Sequence, residues 1–553
     1  CFVIGSPKDS YAEIMKTRSQ QAQLMKRRGG VGYDLSQLRP RGAKVNNAAK
    51  FSTGAASFMD VCSDITNEVA QNGRRGALML SMSINHPDIE EFITKKQDLT
   101  KVTGANISVK VTDEFMQAVE NDKDYILRFP VDESVPQGLM IEEMPYNELW
   151  FFSDDDHPNS FFKKVRAREL WDTLMHCAWN TAEPGIMFEG AMHNYSPDGV
   201  YPDFKMVGTN PCGEIPMGPF DSCRLIHINL SSYIVDPFTD KAHIDEELLY
   251  MHSYEAMRLA DDLVDLEIEA VDRIINTVKN DTDDTEFKLW SKIKETAIQG
   301  RRAGLGFTGL ADAIAMLGLK YDSDEGISQV EQLMKVMFKG QLDSNIDMAI
   351  ERGSFPAWDS VVEAESNSDW LKFIRSNYLK TWLKMAQSGR RNISWSTVAP
   401  TGTVSIMAGT SSGIEPVFMP FYQRKRKCMS ESDRVDYVDK VGEKYTLFTV
   451  VHPNLKKWAI ETLNYSESEV NEWSLGVWKE VWKESPYYGS TAPEIDWRQR
   501  VKLQGVVQKY ITHSISSTVN LAKETTEEEI ADIYIEAWKQ GLKGITIYRD
   551  GCR

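Results

Sequence analysis

The chain has 553 residues and a formal net charge of −18, with 42% hydrophobic and 26% charged residues. This composition is typical of a globular protein with a large core, and the acidic balance argues against nucleic-acid or anionic-membrane partners, which need a basic face. No apolar run approaches the roughly 20 residues that a membrane span requires, and no signal peptide is visible. A cytoplasmic protein is expected.

The predicted elements of the first half alternate between β-branched runs and amphipathic stretches, which favours an α/β fold. A helix is predicted at 10–27, a strand at 105–112, and a second helix at 113–122 with Asp113 as its N-cap. The polar stretch 131–145 is predicted to be a surface loop.

The second half continues the pattern without a linker that would separate independent domains. The sequence predicts a strand at 225–235, a surface loop at 357–368, and a helix at 525–544 that ends at glycine before the strand-like "ITIY". A G-x-G-x-x-G pattern begins at Gly304. Because helical sequence precedes it, close helix packing is favoured over a dinucleotide site.

Two further segments could hold a ligand. "GGVG" at 29–32 permits either the close approach of a ligand or a plain helix-to-strand turn, and both interpretations stay open. "APTGTVS" at 399–405 could open a helix whose free N–H groups and hydroxyls bind a phosphate, although an ordinary capped helix is the alternative.

The cysteines do not form a disulfide scaffold or a zinc site, since there are seven of them and no C-x-x-C pair, and no protein-ligated metal is predicted. Cys212 differs from the others because it lies in the Pro/Gly-flanked segment "NPCGE". Asn210 and Glu214 lie two positions to either side, so an extended backbone would project all three side chains to one face. A nucleophilic thiolate and a redox thiol are both open.

Six segments in order along the whole chain together resemble the catalytic subunit of ribonucleotide reductases. They are "CFVIGSPKDS", "GGVGYDLSQLRPRGA", "QNGRRGALM", "NPCGEI", "APTGTVSIMAGTSSGIEPVF" and "GLKGITIYRDG". The resemblance implies an α/β fold in which two five-stranded parallel halves form a ten-stranded barrel. A finger loop through its centre would carry a radical cysteine.

The resemblance also implies the roles of five catalytic residues in the reduction of a ribonucleotide. Cys212 would be the thiyl radical that takes the 3′ hydrogen, Glu214 the base at the 3′ hydroxyl, and Asn210 a hydrogen-bonding partner of the sugar. Cys1 and Cys223 would supply two electrons as a disulfide forms. Their Cα atoms must then lie within about 7 Å of each other.

A nucleotide substrate and a nucleotide effector are implied as well. The residues expected to hold the substrate phosphates or to line the same pocket are Gly30, Gly32, Pro400, Thr401, Gly402, Thr403 and Ser405. The residues expected to bind a nucleoside triphosphate effector, dNTP or ATP, are Asp9, Ser10, Arg39, Gln71 and Arg75. Ala70 departs from the lysine of some relatives. The helix at 10–27 would pair two subunits in a homodimer.

The radical source is predicted from the C-terminal segment. Relatives with a metal-radical partner subunit carry two adjacent tyrosines there, whereas this chain has Ile547 before Tyr548. The "NPCGE" spelling and the spacing from Cys212 to Cys223 resemble the adenosylcobalamin-dependent branch. The alternatives are a large subunit that needs a metal-radical partner and a non-catalytic nucleotide-binding remnant.

A single reductase barrel domain over 1–553 is expected. Its effector elements would lie within 1–80, its finger loop at about 207–224 and its C-terminal barrel segment at about 500–553. Relatives also carry an N-terminal flank and a C-terminal cysteine tail, and both are expected to be absent here. A thioredoxin-like protein or a small thiol would then reduce the disulfide. The start at Cys1 suggests a processed product or a fragment.

Overall fold

The computed structural model describes residues 1–69, 76–428, 430, 434–438 and 442–552. The strands in these ranges are β1 (Phe2–Val3), β2 (Val31–Asp34), β3 (Leu78–Ser83), β4 (Asn106–Val111), β5 (Asp124–Phe129), β6 (Leu149–Phe152), β7 (Ser160–Arg166), β8 (Gly185–Phe188), β9 (Gly208–Thr209), β10 (Pro216–Met217), β11 (Asp221–Ser222), β12 (Leu225–Asn229), β13 (Ile234–Val235), β14 (His243–Ile244), β15 (Gly304–Thr308), β16 (Phe421–Lys427), β17 (Tyr437–Val438), β18 (Lys444–Val451), β19 (Thr518–Leu521) and β20 (Gly544–Arg549).

The α-helices alternate with these strands along most of the chain. They are α1 (Tyr11–Lys26), α2 (Met59–Val69), α3 (Ile89–Thr94), α4 (Asp113–Glu120), α5 (Ala167–Thr181), α6 (Glu189–Asn194), α7 (Glu246–Val278), α8 (Thr285–Gly300), α9 (Leu310–Met316), α10 (Asp324–Arg352), α11 (Ser360–Glu365), α12 (Asp369–Asn377), α13 (Leu379–Ser388), α14 (Gly402–Ala408), α15 (Pro453–Leu463), α16 (Glu467–Glu472), α17 (Leu475–Val481), α18 (Trp497–Gln508) and α19 (Glu527–Lys539). Short 3-10 helices lie at Ala55–Phe58, Lys95–Gln97, Ile141–Glu143, Pro202–Phe204, Leu230–Tyr233 and Trp482–Glu484.

The largest sheet has the strand order β11-β1-β2-β3-β4-β8-β20-β19. The run from β1 through β2, β3 and β4 to β8 is parallel throughout, while β11 and β20 join it in antiparallel pairs. Helical connections between parallel strands cover such a sheet, and its strands are accordingly almost fully buried. The first half of the chain therefore forms a parallel α/β layer, as predicted.

The second half adds a smaller set of parallel pairings. Strand β12 pairs with β15, and parallel bridges link Leu305 to Ser396 and Val398 to Ile515. Regular strand pairing does not close these elements and the large sheet into one ring in the part of the chain that the structure describes. The observed fold is thus a mixed α/β fold with parallel strands in both halves.

Two hydrophobic clusters follow the same division. One is built on β2, β3, β4 and β8 with helices α1 to α5, and the other on β12 and β15 with α7, α9 and α10. Across the described ranges, no helix is both long enough and apolar enough to cross a bilayer.

Most of the predicted elements are confirmed, with local corrections. Helix α1 occupies the predicted 10–27, and the strand at 105–112 and the helix at 113–122 appear as β4 and α4. Asp113 is not the N-cap of α4, because the Thr112 side chain accepts the hydrogen bond from the Phe115 N–H. The predicted loop 357–368 contains α11, which Asp359 caps.

The other corrections concern the middle of the chain. The predicted strand at 225–235 is interrupted by a 3-10 turn between β12 and β13. Gly304 and Gly306 lie in strand β15 rather than between packed helices. A Cβ atom at Gly306 would stand 2.2 Å from the Thr397 carbonyl oxygen, so the glycine permits close approach of a neighbouring strand.

Candidate active site

Cys212 lies at the tip of a hairpin between β9 and β10. These two-residue strands pair antiparallel, with Pro216 opposite Thr209. The chain reverses in a turn closed by a hydrogen bond from the Gly213 N–H to the Asn210 carbonyl at 3.0 Å, and Gly213 has a φ of 81° that favours glycine. The turn presents Cys212 as an exposed side chain between two buried neighbours, Asn210 and Glu214.

The hairpin is seated closely on the large sheet. A Cβ atom at Gly32 would lie 1.9 Å from the Thr209 carbonyl oxygen, so only glycine allows β2 and β9 to approach this closely. The Asn106 amide donates to the Pro211 carbonyl at 3.4 Å, next to Cys212. Gly32 therefore makes room for the backbone of the hairpin that carries Cys212.

Glu214 and Asn210 meet through the turn and not through an extended segment, so the extended geometry expected from the sequence is wrong. The Asn210 side-chain oxygen accepts from the Ile215 N–H at 3.0 Å, and the Glu214 carbonyl accepts from Thr397 and from the Ser514 N–H. No described residue hydrogen-bonds the Glu214 Oε2 atom. Burial raises the pKa of Glu214, which makes it a stronger proton acceptor near neutral pH.

Cys1 and Cys223 face each other across the antiparallel pair of β1 and β11. Phe2 is in register with Ser222, and the Cys223 N–H donates to the Cys1 carbonyl at 2.9 Å. Residues in such a hydrogen-bonded pair have Cα atoms about 5.5 Å apart, a distance that a disulfide can span. Both cysteines are free thiols in this structure.

The three thiols belong to one neighbourhood. A Cβ atom at Gly30 would lie 2.9 Å from Cys1 Sγ and 3.2 Å from Pro211 Cγ. Gly30 therefore lies between Cys1 and the turn of the hairpin that carries Cys212. Burial raises the pKa of Cys212 to about 11 and that of Cys223 to about 12. Both groups are therefore uncharged S–H groups at neutral pH, the form that can give up a hydrogen atom.

The Cys212 side chain, which is solvent-accessible, lines a cavity of about 470 Å³. Its walls come from the hairpin, from β4 and β8, from Pro400 and from the C-terminal strands; the lining includes Asn106, Ser108, Gly213, Ser516, Thr518 and Tyr548. This volume is typical of small-molecule sites.

A second cavity of about 750 Å³ adjoins the first and shares Pro400, Ser516, Thr518 and Tyr548 with it. Its other walls are largely apolar and aromatic, with Val417, Phe418, Met419 and Tyr422. No local sequence pattern predicts this cavity. Its lining comes from separate segments around positions 400–422, 452, 492, 516–520 and 548 that only the fold brings together.

His452 is a polar group of this second cavity that the sequence analysis did not single out. Its Nε2 atom lies 2.6 Å from Asp312 Oδ1, and the Tyr487 hydroxyl donates to the same oxygen at 2.6 Å. His452 is also the N-cap residue of α15. Asp312 lies 140 positions away, so no local pattern could have revealed the pair.

The segment expected to hold the substrate phosphates opens helix α14, as predicted. Thr401 and Ser405 are buried, whereas Gly402 and Thr403 are exposed. The Thr401 hydroxyl accepts from the Gly413 N–H at 2.8 Å, and a Cβ atom at Gly402 would meet no atom within 4 Å. The start of α14 is thus anchored to the protein through Thr401, while the space beside Gly402 is unoccupied by protein atoms.

Asp9 and Arg39 come together in a third cavity of about 640 Å³. The Arg39 guanidinium donates to Asp9 Oδ2 at 2.6 Å, and Ser10 is the N-cap of α1. Lys44 and four phenylalanines also line this cavity, with Phe51, Phe129, Phe151 and Phe161. Gln71 and Arg75, and the departure at Ala70, lie outside the described residues.

Comparisons with known proteins identify the family of this chain and several of its relatives. The profile of the family described as "Ribonucleotide reductase, barrel domain" matches residues 1–548. A "Vitamin B12-dependent ribonucleoside-diphosphate reductase" of Thermoplasma acidophilum is 33% identical over 100% of this chain and 61% of its own length. The protein of the same name from Mycobacterium tuberculosis is 30% identical over 100% of this chain and 68% of its own length.

The chain thus spans about two thirds of the length of these curated relatives. Among solved structures, the "Actinobacillus ureae class Id ribonucleotide reductase alpha subunit" aligns with a TM-score of 0.66 at 18% identity, over 99% of this chain and 84% of that one. Since this identity is low, the match supports the fold alone. With a family profile that covers nearly the whole sequence, the chain belongs to the ribonucleotide reductase barrel-domain family.

Proposed function

We propose that the protein reduces ribonucleotides to 2′-deoxyribonucleotides by thiyl-radical chemistry. The observation that carries the proposal is the grouping of three thiols. Cys212 stands at a hairpin tip inside a cavity, and Cys1 and Cys223 lie opposite each other on the strands beside it. The substrate would be a ribonucleoside di- or triphosphate. Two relatives are named as ribonucleoside-diphosphate reductases, which supports the diphosphate.

The residues divide the reaction between them. Cys212, as a thiyl radical, takes the hydrogen atom from C3′ of the ribose and later returns one, while Glu214 accepts the 3′-hydroxyl proton and Asn210 orients the sugar. The 2′ hydroxyl leaves as water, and Cys1 and Cys223 give up two protons and two electrons as one S–S bond forms. The raised pKa values of Cys212 and Cys223 keep these thiols protonated for the transfers.

The substrate phosphates would bind at the start of α14, next to Pro400. Exposed Gly402 and Thr403 and the buried hydroxyls of Thr401 and Ser405 provide N–H and O–H donors there. Gly30 and Gly32 would act indirectly, since they leave room for Cys1 and for the finger beside the same cavity.

Adenosylcobalamin is the proposed cofactor. The second cavity supports it because it is large, adjoins the cavity of Cys212, and offers both apolar walls for the corrin ring and polar groups, such as Thr410, Ser412 and Glu415, for its amide side chains. Val417, Phe418, Met419 and Tyr422 would hold the group, and His452 would contribute a polar contact. When bound, it supplies the radical that oxidises Cys212. The bound substrate and cofactor would displace water from these cavities and so protect the radical from side reactions.

We also propose the remaining assembly from the family resemblance. A dNTP or ATP effector would bind at Asp9, Ser10 and Arg39, and exposed apolar residues Tyr11 and Met15 on α1 would pair two subunits. The parallel strands of both halves would form a ten-stranded barrel around a finger at 207–224, as one domain over 1–553. In the cytoplasm, a thioredoxin-like protein or a small thiol would reduce the disulfide.

A turnover assay tests this function. The protein is incubated in the dark with a ribonucleoside di- or triphosphate, adenosylcobalamin and dithiothreitol, and the deoxynucleotide is measured by chromatography. We expect product with the wild type and none with Cys212→Ala. The matched control is Cys177→Ala, because Cys177 is buried in α5 and takes no part in the site.

Circular dichroism must show both variants folded. Deoxynucleotide formation by Cys212→Ala, or no turnover by the folded wild type, contradicts the proposal. Turnover that is independent of adenosylcobalamin and insensitive to prior illumination of the cofactor contradicts the cofactor assignment alone.

A further inference from the structure

Arg302 is a buried cation next to the cysteine pair that the proposed mechanism does not use. It is 1% exposed, and its guanidinium binds two carboxylates, Asp221 through Nε at 2.6 Å and Asp198 through NH1 at 2.6 Å. Neither Arg302 nor its two acidic partners line the cavity that contains Cys212. Its role is therefore not contact with a ligand in that cavity.

The partners of Arg302 bracket Cys223 along the chain. Asp221 lies two positions before Cys223, and Arg224 lies one position after it. The Arg302 side chain holds Asp221, while the Arg302 carbonyl oxygen accepts a hydrogen bond from Arg224 NH1 at 2.7 Å. Arg302 is thus tied to a side chain on each side of Cys223, to Asp221 through its guanidinium and to Arg224 through its carbonyl.

A second set of contacts holds the same strand from its other face. The Ser222 hydroxyl donates to Glu267 Oε1 at 2.8 Å, and Arg224 Nε also binds Glu267. Because successive side chains of a strand point to opposite faces, Asp221 and Ser222 anchor it from two directions. These contacts leave β11 little freedom to move away from β1.

The position of Cys223 decides how readily it bonds to Cys1. A disulfide needs an S–S length of about 2.05 Å and a Cα separation within about 4.4–6.8 Å. Pre-ordered thiols form the bond with a smaller loss of conformational entropy than thiols on a mobile strand. Buried ion pairs suit such ordering, since a paired buried charge is costly to separate.

We propose that Arg302 is a positioning residue for the redox pair. By holding Asp221 and Arg224, it keeps Cys223 opposite Cys1 and so favours the disulfide in the dithiol–disulfide equilibrium. This inference rests on the proposed function, which assigns these two cysteines as the electron donors. It predicts a change in reduction potential and not only in stability.

The test is a redox titration of the whole chain in glutathione buffers, without nucleotide or cobalamin. Each equivalent of protein dithiol reduces one glutathione disulfide to two glutathione molecules. The Cys1–Cys223 bond is quantified by differential alkylation and mass spectrometry. For Arg302→Gln we expect a tenfold weaker tendency to form the disulfide, which corresponds to a potential about 30 mV less negative.

Arg301 offers a matched control in the neighbouring position. It is also a buried arginine with two carboxylate partners, Asp261 and Asp265 of α7, and in the part of the chain that the structure describes neither carboxylate hydrogen-bonds residues 221–224. Arg301→Gln should lower the melting temperature without a shift in potential. If Arg302→Gln does not fold, Arg224→Gln should show a shift in the same direction, since it removes one of the two ties.

The outcomes separate this inference from the proposed function. A wild-type potential in Arg302→Gln, or an equal shift in Arg301→Gln, overturns the role of Arg302 and leaves the redox pair standing. If the wild type forms no Cys1–Cys223 disulfide at any potential, both the pair and its positioning residue are wrong.

Discussion

At the scale of single residues, the site depends on positions where the smallest side chain is required. Gly32 lies in β2. The Thr209 carbonyl of β9 occupies the space that a Cβ atom would need at this position. The sequence left open whether the glycines at 29–32 serve a ligand or a turn. The structure shows a further role for Gly32, which makes room for another segment of the same chain.

Replacing this glycine tests the close contact. In Gly32→Ala the added methyl group should collide with the Thr209 carbonyl and displace the β9–β10 hairpin from β2. We expect this overpacking to lower the free energy of unfolding by about 1–3 kcal/mol. Urea denaturation measures the free energy of unfolding. Gly138→Ala is the control, because a Cβ atom at Gly138 would meet no atom within 4 Å. Equal unfolding free energies for the two variants would refute the argument.

At the scale of elements, the two longest helices, α7 and α10, run parallel to each other and are joined by hydrogen bonds and an ion pair. Both belong to the hydrophobic cluster that contains β12 and β15. Residues spaced four apart on α7 bind residues spaced four apart on α10: Tyr250 to Asp343, Tyr254 to Asp347 and Arg258 to Glu351. Neighbours four apart share one helix face, so the three bonds form a regular ladder. The ladder supports the layer on which β12 and β15 lie.

Removing the middle bond should cost a modest amount of stability. Tyr254→Phe deletes the 3.0 Å hydrogen bond to Asp347, and we expect a loss of about 1 kcal/mol in the free energy of unfolding. Tyr465→Phe is the matched control, since no bond to its exposed hydroxyl occurs among the described residues. Identical urea midpoints for both variants and the wild type would show that the ladder contributes nothing.

At the scale of the whole molecule, a buried polar cluster joins distant parts of the chain. The His513 Nε2–H donates to the Ala303 carbonyl, and its Nδ1 atom accepts from the Arg302 guanidinium, while Lys543 donates to the Thr512 and His513 carbonyls. Burial, followed by the charge of Arg302, lowers the pKa of His513 from 6.5 to about 3. The folded protein therefore keeps this histidine uncharged.

This depressed pKa makes stability depend on pH in a defined direction. Between pH 6.5 and 3 the unfolded chain protonates His513 and the folded chain does not, so stability falls as pH falls. The contribution has a slope of up to about 1.4 kcal/mol per pH unit. His513→Gln should flatten the pH dependence in this window, measured by urea unfolding at several pH values.

The control for this measurement is His243→Gln, since His243 is exposed. It should leave the pH dependence as in the wild type. A difference in stability between the wild type and His513→Gln that stays constant from pH 6.5 to 3 would contradict the assignment.

The sequence by itself determined the family and the local elements. Six segments in order carry the resemblance, and helices such as α1 and α19 follow from capping residues and apolar spacing within a few positions. These signals are local, because propensity, capping and turn chemistry act between near neighbours. The candidate roles of Cys212, Glu214 and Asn210 came from the resemblance, and not from their spacing, which suggested a wrong extended geometry.

Only the tertiary structure decided how distant residues meet. The family resemblance implies that Cys1 and Cys223 pair, but the register that sets them opposite each other, 222 positions apart, is visible only in the pairing of β1 with β11. The pairing of His452 with Asp312, the clamp formed by Arg302 and the contact of Gly32 with the finger are long-range in the same way. Strand register and side-chain burial are set by packing of the whole chain, so no window of sequence contains them.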